Sequence, residues 1–255
     1  SLFIISDNSS VIYEYKIKDQ KLEAHPLLED SPGTQRENIP KKSKPDFEAV
    51  ADFGGDCYIF GSGSAENRKK MVRFDTGKRE KAAAADLAYL YEIMQRFSDI
   101  KPEDFNIEGA AYNGESWFLF NRGNGPNARN GIFTVSGANL TDEFSILYNE
   151  YKLPKINGVR SSFTDAVIAG SKIYFLAAVE NTASTYDDGA VLGTFIGRID
   201  LQKMKIDFTE KISNSHKFEG LALYREDKNS IEFLLCEDKD SDELKSDIFK
   251  LALSK

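Results

Sequence analysis

The stretch Lys44-Pro-Asp-Phe-Glu-Ala-Val50 returns three times along the chain, as Asn106-Ile-Glu-Gly-Ala-Ala111, Phe163-Thr-Asp-Ala-Val167 and Lys217-Phe-Glu-Gly-Leu-Ala222. Each copy sets one carboxylate, Glu48, Glu108, Asp165 or Glu219, before small and apolar residues. The intervals between these acids are 60, 57 and 54 residues. Self-similarity at a near-constant period of this size signals a repeat architecture.

Outward from each copy the chain shows one succession of short strands parted by turn residues. The second unit reads as strands at 47–53, 57–60 and 70–75, with Gly54-Gly55-Asp56 as a turn and Gly61-Ser-Gly-Ser64 closing the second strand. The third reads as 107–112, 116–120, 131–136 and 144–151, with the hairpin signal Asn113-Gly114 between its first two strands. The fourth takes 163–168, 173–178, 193–200 and 205–212, and the fifth 218–224, 231–235 and 247–253. Ahead of them, 2–6 and 11–17 form a hairpin around Asp7-Asn-Ser-Ser10, and 22–28 adds a strand. The polar segment 29–45, with Pro32, Pro40 and Pro45, is a loop between units. One segment breaks the pattern. Leu87, Leu90, Tyr91, Met94 and Phe97 are spaced as one face of a helix over 86–97, which should pack that face on the outside of the array.

Meanders of about four strands at this spacing predict an all-β fold, a five-bladed β-propeller of four-stranded antiparallel blades, in a single domain over 1–255. With one helical segment, a parallel α/β fold is disfavoured. Segments 2–6 and 11–17 align with the second and third strands of the other units. The first blade then lacks its innermost strand and the last its outer one, and roughly 15–25 residues upstream would supply both.

Of the 255 residues, 41% are hydrophobic and 29% charged, in keeping with a soluble globular chain. The net charge of −8 argues against a nucleic-acid backbone or an anionic membrane as partner. No apolar run approaches the ~20 residues that span a bilayer. The expectation is a monomer in the cytoplasm or periplasm. Cys57 begins a strand and Cys236 ends one, so two free thiols are expected.

Several motifs taken together resemble an uncharacterised bacterial family of propeller-like proteins, over essentially the whole chain. They are Lys-Pro-Asp-Phe-Glu-Ala at 44–49 with Gly-Ser-Gly-Ser at 61–64, and Asn-Ile-Glu-Gly-Ala at 106–110 with Asn-Arg-Gly-Asn at 121–124. The third set is Ala178 and Glu180-Asn-Thr182 running into Tyr186-Asp-Asp-Gly189 and Leu192-Gly-Thr-Phe195. The Glu-Gly-aliphatic-Ala strands are also similar to the phytase-like esterase propellers, on one short motif. The first resemblance implies the propeller fold and brings no reaction with it.

Strand polarity places the chemistry. In an antiparallel meander the start of the first strand and the end of the second share one sheet edge. Glu48, Glu108, Asp165 and Glu219 should therefore ring the central channel near one face. The polar second-strand ends Ser6-Asp7-Asn8, Ser62-Gly63-Ser64, Asn121-Arg122, Glu180-Asn181 and Glu237-Asp238 should border it. Two readings of the acids are open. They accept backbone N–H groups of the neighbouring blade and fix the ring, or they share a cation. Like charges around a narrow axis repel, and a hard cation with oxygen ligands relieves them, Ca2+ better than Mg2+. Zinc is disfavoured, because His25 and His216 are the only histidines and no cysteine cluster exists. Arg122 is read either as a two-pronged grip for a carboxylate or phosphate, or as the neutraliser of the acids. Lys44, Arg160 and Lys217 precede first strands and Arg68 follows a second one, so the rim is mixed in sign. Asp187-Asp188-Gly189 reads as a tight turn.

Two functions follow. The first is a metal-assisted hydrolase of an ester or phosphoester. Glu48, Glu108 and Asp165 serve as catalytic acids and, with Glu219, as metal ligands. Arg122, Asn121, Glu180, Asn181, Ser62, Arg68 and Lys217 hold the substrate. The second is a non-catalytic propeller that binds a small polar or anionic ligand, or a protein, at the same face. No Gly-x-Ser-x-Gly elbow or phosphate-binding loop is present, and a serine–histidine pair built on His216 is disfavoured.

Overall fold

The computed structural model describes residues 1–29, 33, 35–123, 125, 127, 129–181, 189–239 and 245–255. Pro32, Asn124, Thr182, Tyr186, Asp187 and Asp188 lie outside the described residues. Five antiparallel sheets follow one another around a ring, each with its strands in chain order. Blade 1 holds β1 (Leu2–Ile4), β2 (Val11–Lys16) and β3 (Lys21–Pro26). Blade 2 holds β4 (Phe47–Phe53), β5 (Asp56–Gly61), β6 (Lys70–Asp75) and β7 (Glu80–Asp86), and is followed by helix α1 (Ala88–Ser98). Blade 3 holds β8 (Ile107–Tyr112), β9 (Ser116–Asn121), β10 (Asn130–Gly137) and β11 (Phe144–Tyr151). A small ribbon, β12 (Lys155–Ile156) and β13 (Val159–Arg160), leads into blade 4. That blade comprises β14 (Ser162–Ala169), β15 (Lys172–Asn181), β16 (Ala190–Asp200) and β17 (Lys205–Ser213). Blade 5 holds β18 (Phe218–Glu226), β19 (Ser230–Glu237) and β20 (Ile248–Ser254). The architecture is the five-bladed propeller that the repeat predicts.

The blades stack face to face, and the apolar core is divided among the seams. Ile12, Phe47, Cys57, Ile59 and Phe74 fill the seam between blades 1 and 2. Ala49, Phe60, Ala110, Leu119 and Phe133 fill the next. Ala111, Phe120, Phe163 and Phe175 lie between blades 3 and 4, and Leu176, Ile196, Phe218 and Phe233 between blades 4 and 5. Successive side chains of a strand point to opposite faces. Ala110 and Ala111 accordingly serve different seams, and β8 is buried along nearly its whole length. Small residues on the inner strands let those strands crowd the axis. A Cβ on Gly109 would come within 3.2 Å of the Asp165 backbone in the neighbouring blade.

Helix α1 packs against the seam between blades 2 and 3, with Leu87, Leu90, Tyr91 and Met94 fully buried. Phe97, assigned to the same face by its spacing, is 57% exposed. At 100° per residue the face has rotated past it by the third turn, and Ser98 takes the inward place, donating to the Met94 carbonyl at 2.8 Å. The Tyr91 hydroxyl donates to the carbonyl of Gly61 at 2.8 Å. Gly63 sits at φ +79° with its α-carbon against the rings of Tyr91 and Phe105, so Gly61-Ser-Gly-Ser64 owes its glycines to packing.

Three strands, β7, β12 and β13, are absent from the expectation. β7 is built on Ala83-Ala84-Ala85, residues of high helix propensity, yet it pairs with β6. The open edge of β6 outweighs a preference of a few tenths of a kcal/mol per residue. The ribbon β12–β13 turns on Asn157-Gly158, both at positive φ. Cys57 and Cys236 are free. Among the described residues no helix is long and apolar enough to cross a membrane.

Candidate functional site at the axial mouth

Three of the four repeated acids occupy one backbone device. Phe47 faces Gly61 and Ala49 faces Phe60, which leaves Glu48 as the extra residue of a β-bulge. Glu108 is extra between Ile107 and Gly109, and Glu219 between Phe218 and Gly220. A bulge bends the strand and re-aims the side chain. In blade 4 the bulged residue is Thr164, because Phe163 faces Ala177 and Asp165 faces Leu176. Asp165 thus stands one residue beyond the other three. Its carboxylate accepts the N–H of Ala166 at 2.7 Å and that of Leu221, in the next blade, also at 2.7 Å. The Thr164 hydroxyl donates to the Phe218 carbonyl at 2.8 Å.

Arg122, at the end of β9, is buried and reaches three blades. One guanidinium nitrogen lies 3.1 Å from Glu108 and 3.5 Å from Glu219, and the other pairs with Glu180. Lys217, just before β18, closes the same circuit at 3.3 Å from Glu180, 3.2 Å from Glu219 and 3.4 Å from Asp238. Asn106 donates to Glu108 at 2.6 Å. On the blade 2 side a second network centres on Asp46. Lys44 lies 2.6 Å from it and also pairs with Asp7. Arg68 lies 2.8 Å from Asp46, and the Ser62 hydroxyl donates to the same carboxylate.

Glu48 stands between the two networks. Among the described residues neither a cation nor a hydrogen-bond donor meets it. Burial first, then the charges of Glu108, Asp46, Asp7 and Glu219, push its carboxyl well above the ordinary range. Carboxylate oxygens of Asp7, Asp46 and Glu48 lie within 4.8 Å of one another. Burial raises Glu219 to about 8 against the pull of Arg122 and Lys217, and raises Glu108 against the pull of Arg122. Burial also raises Asp165, opposed by its two backbone N–H donors. Burial opposes the charge of Lys217, but Glu219 and Glu180 outweigh it, and its ammonium is held more firmly than usual. Arg122 is held in the same way by Glu108, Glu219 and Glu180.

The mouth therefore gathers Glu48, Glu108, Glu219, Arg122, Glu180 and Lys217, with Ser62 and Arg68 in the adjoining network around Asp46. Asn121 is turned inward and fully buried. It accepts the Asn106 N–H at 2.9 Å and donates to the Arg129 carbonyl at 3.1 Å. Asn181 is exposed at the tip of β15, and Arg160 is exposed in the ribbon. Asp46 escaped the sequence reading. Its signal was positional: Asp46, Asn106 and Lys217 each precede an inner strand, and each carbonyl accepts an N–H from the second-strand end, namely Ser62, Arg122 and Asp238.

A family model described as a family of unknown function, DUF6929, matches residues 1–253. No curated protein matches the chain. Among solved structures, Saccharomyces cerevisiae Sqt1 aligns at 8% identity and a TM-score of 0.43, over 98% of this chain and 66% of that one. The quinohemoprotein alcohol dehydrogenase ADHIIG of Pseudomonas putida HK5 aligns at 12% identity and 0.39, over 92% and 38%. A D477G ACO/RPE65 chimera aligns at 9% and 0.43, over 93% and 52%. The chain thus spans between 38% and 66% of the length of these three structures.

Proposed function

The chain belongs to the DUF6929 family of unknown function, and from that premise, which carries no activity, we propose a ligand-binding propeller whose axial mouth takes a small polar ligand through a bound hard cation. The supporting observation is Glu48, a carboxyl with no cationic partner among the described residues, set beside Glu108, Asp7 and Glu219. Glu108, Glu180 and Glu219 share the two cations Arg122 and Lys217, and Glu48 adds a fourth acid that pairs with neither. Oxygen donors of varied reach suit Ca2+. Arg122 already serves three carboxylates, so an anionic group on the ligand is met by the cation and not by an open guanidinium. Asp165 acts as a brace between blades 4 and 5. Calorimetric titration of chelator-stripped protein with CaCl2 is expected to show one site, lost in Glu48→Gln with the fold kept by circular dichroism. Absence of binding at millimolar Ca2+, or equal binding in that variant, rejects the reading.

A cation-dependent hydrolase is the second reading. It is supported by Glu219, which burial pushes up to about 8, beside Glu108, which is paired with Arg122. A carboxyl that holds its proton near neutrality can give it up and take it back at working pH, which is what acid–base chemistry needs. The short likeness to phytase-like esterase propellers points the same way. Ca2+-dependent turnover of p-nitrophenyl phosphate that falls in Glu219→Gln supports this reading, and turnover unchanged in that variant removes it.

A further inference from the structure

Outside the axial group, on the blade 5 side of the same rim, His216 is held through both its ring and its backbone. Its Nδ1 lies 2.7 Å from Oε1 of Glu237 at the end of β19. A carboxylate only accepts, so Nδ1 carries a proton, and in the neutral ring Nε2 presents its lone pair. The ring is stacked on Phe218, with centroids 5.5 Å apart and planes at 20°, and leans on Phe249 at 5.0 Å. The backbone is fixed as well: the His216 N–H donates to Ser213 Oγ at 2.8 Å, and its carbonyl accepts from Thr194 Oγ1 at 2.7 Å. The Glu237 side chain is 10% exposed while that of His216 is 41% exposed. Among the described residues Nε2 has no hydrogen bond. Among the described residues Asp247, ahead of β20, is a further charged group near the ring, and Lys239 holds it at 2.8 Å. The Lys217 ammonium is turned away to Glu180, Glu219 and Asp238.

We propose that His216 is a general base, oriented by Glu237, for the attack of water on a carboxylic ester seated at this rim. A carboxylate on one imidazole nitrogen fixes the tautomer and steadies the imidazolium that forms when the other takes a proton. The water oxygen bonds to the ester carbonyl carbon as one water proton passes to Nε2. The carbon–oxygen bond to the alcohol then breaks, and Nε2 returns the proton to the leaving oxygen. No metal and no serine nucleophile enters this sequence. The activity therefore stands or falls apart from the cation reading above.

The test is hydrolysis of p-nitrophenyl acetate by chelator-treated protein. The expected rate exceeds that of His216→Gln by about 10²-fold or more, a usual range for a positioned acid–base group, with a normal solvent deuterium isotope effect. Glu237→Gln is expected to lower kcat and leave KM unchanged, because the carboxylate that orients the imidazole is gone. Imidazole added to His216→Gln should restore part of the rate. Equal rates in the wild type and His216→Gln, both folded by circular dichroism, overturn the proposal, as does an acetyl group trapped on His216. The hydrolysis is assayed without Ca2+ and the calorimetric titration without ester, so the two readings fail separately.

Discussion

Arg122 is held by carboxylates from blades 3, 4 and 5, and taking it away strands them in a buried place. Arg122→Met is expected to cost roughly 3–5 kcal/mol in urea denaturation, since breaking a buried ion pair from one side leaves an uncompensated charge. Adding Glu108→Gln to that variant should recover part of the loss. Full additivity of the two changes would show that the pair is not coupled. The sequence gives this arginine away by position, at the polar tip of an apolar strand. It does not show that three acids already claim it, because Glu180 and Glu219 lie 58 and 97 residues further along the chain. Asp165 is the converse. Its residue type matched the other repeats, but whether a side chain is the bulged one is decided by cross-strand register, which composition does not encode.

At the scale of the element, the blades are joined by side chains that no repeat pattern advertised. Asn130, at the start of β10, accepts the Phe163 N–H at 3.1 Å and donates to the Ser161 carbonyl at 3.0 Å. Thr194, in β16, accepts the Phe218 N–H at 3.2 Å and donates to the His216 carbonyl at 2.7 Å. The third strands of blades 3 and 4 thus each reach the opening of the next blade with one short polar side chain. Thr194→Val keeps the shape and removes both bonds. A loss of about 1–3 kcal/mol is expected from chemical denaturation, the cost of leaving a buried N–H without its acceptor, and Thr194→Ser should keep most of the stability. A valine variant as stable as the wild type would mean that the joint carries no energy. Strand existence was legible from alternation and turn residues in nearly every blade. β7 was not, because an outer strand is held by one neighbour's hydrogen bonds and needs no apolar alternation of its own.

For the whole molecule, the acid-rich mouth sets the response to pH. Glu219 holds its proton in the folded state up to about 8 and would lose it near 4.5 when unfolded. Across that window the folded protein binds more protons, so this contribution is whole below about 4.5 and is lost as pH rises through about 8. Glu48 and Glu108 act in the same direction. Glu14, drawn down to about 2 chiefly by its hydrogen bonds from Arg79 and Ser1, has the opposite sign and loses its contribution as pH falls from about 4.5 toward 2. Thermal melts should therefore peak on the acid side of neutrality and decline from pH 5 to pH 8, and Glu219→Gln should flatten that decline. A melting temperature that rises toward pH 8 would contradict the protonated mouth. Blade 4 carries a lesson for anyone comparing relatives of this chain. If sequences are superposed so that acid falls on acid, Asp165 is matched to Glu48, Glu108 and Glu219, and everything after it in that repeat is counted one position out. Superposed on the kink in the backbone, Thr164 takes that column, and the exchange of glutamate for threonine in this repeat becomes visible as a change of occupant at a constant place.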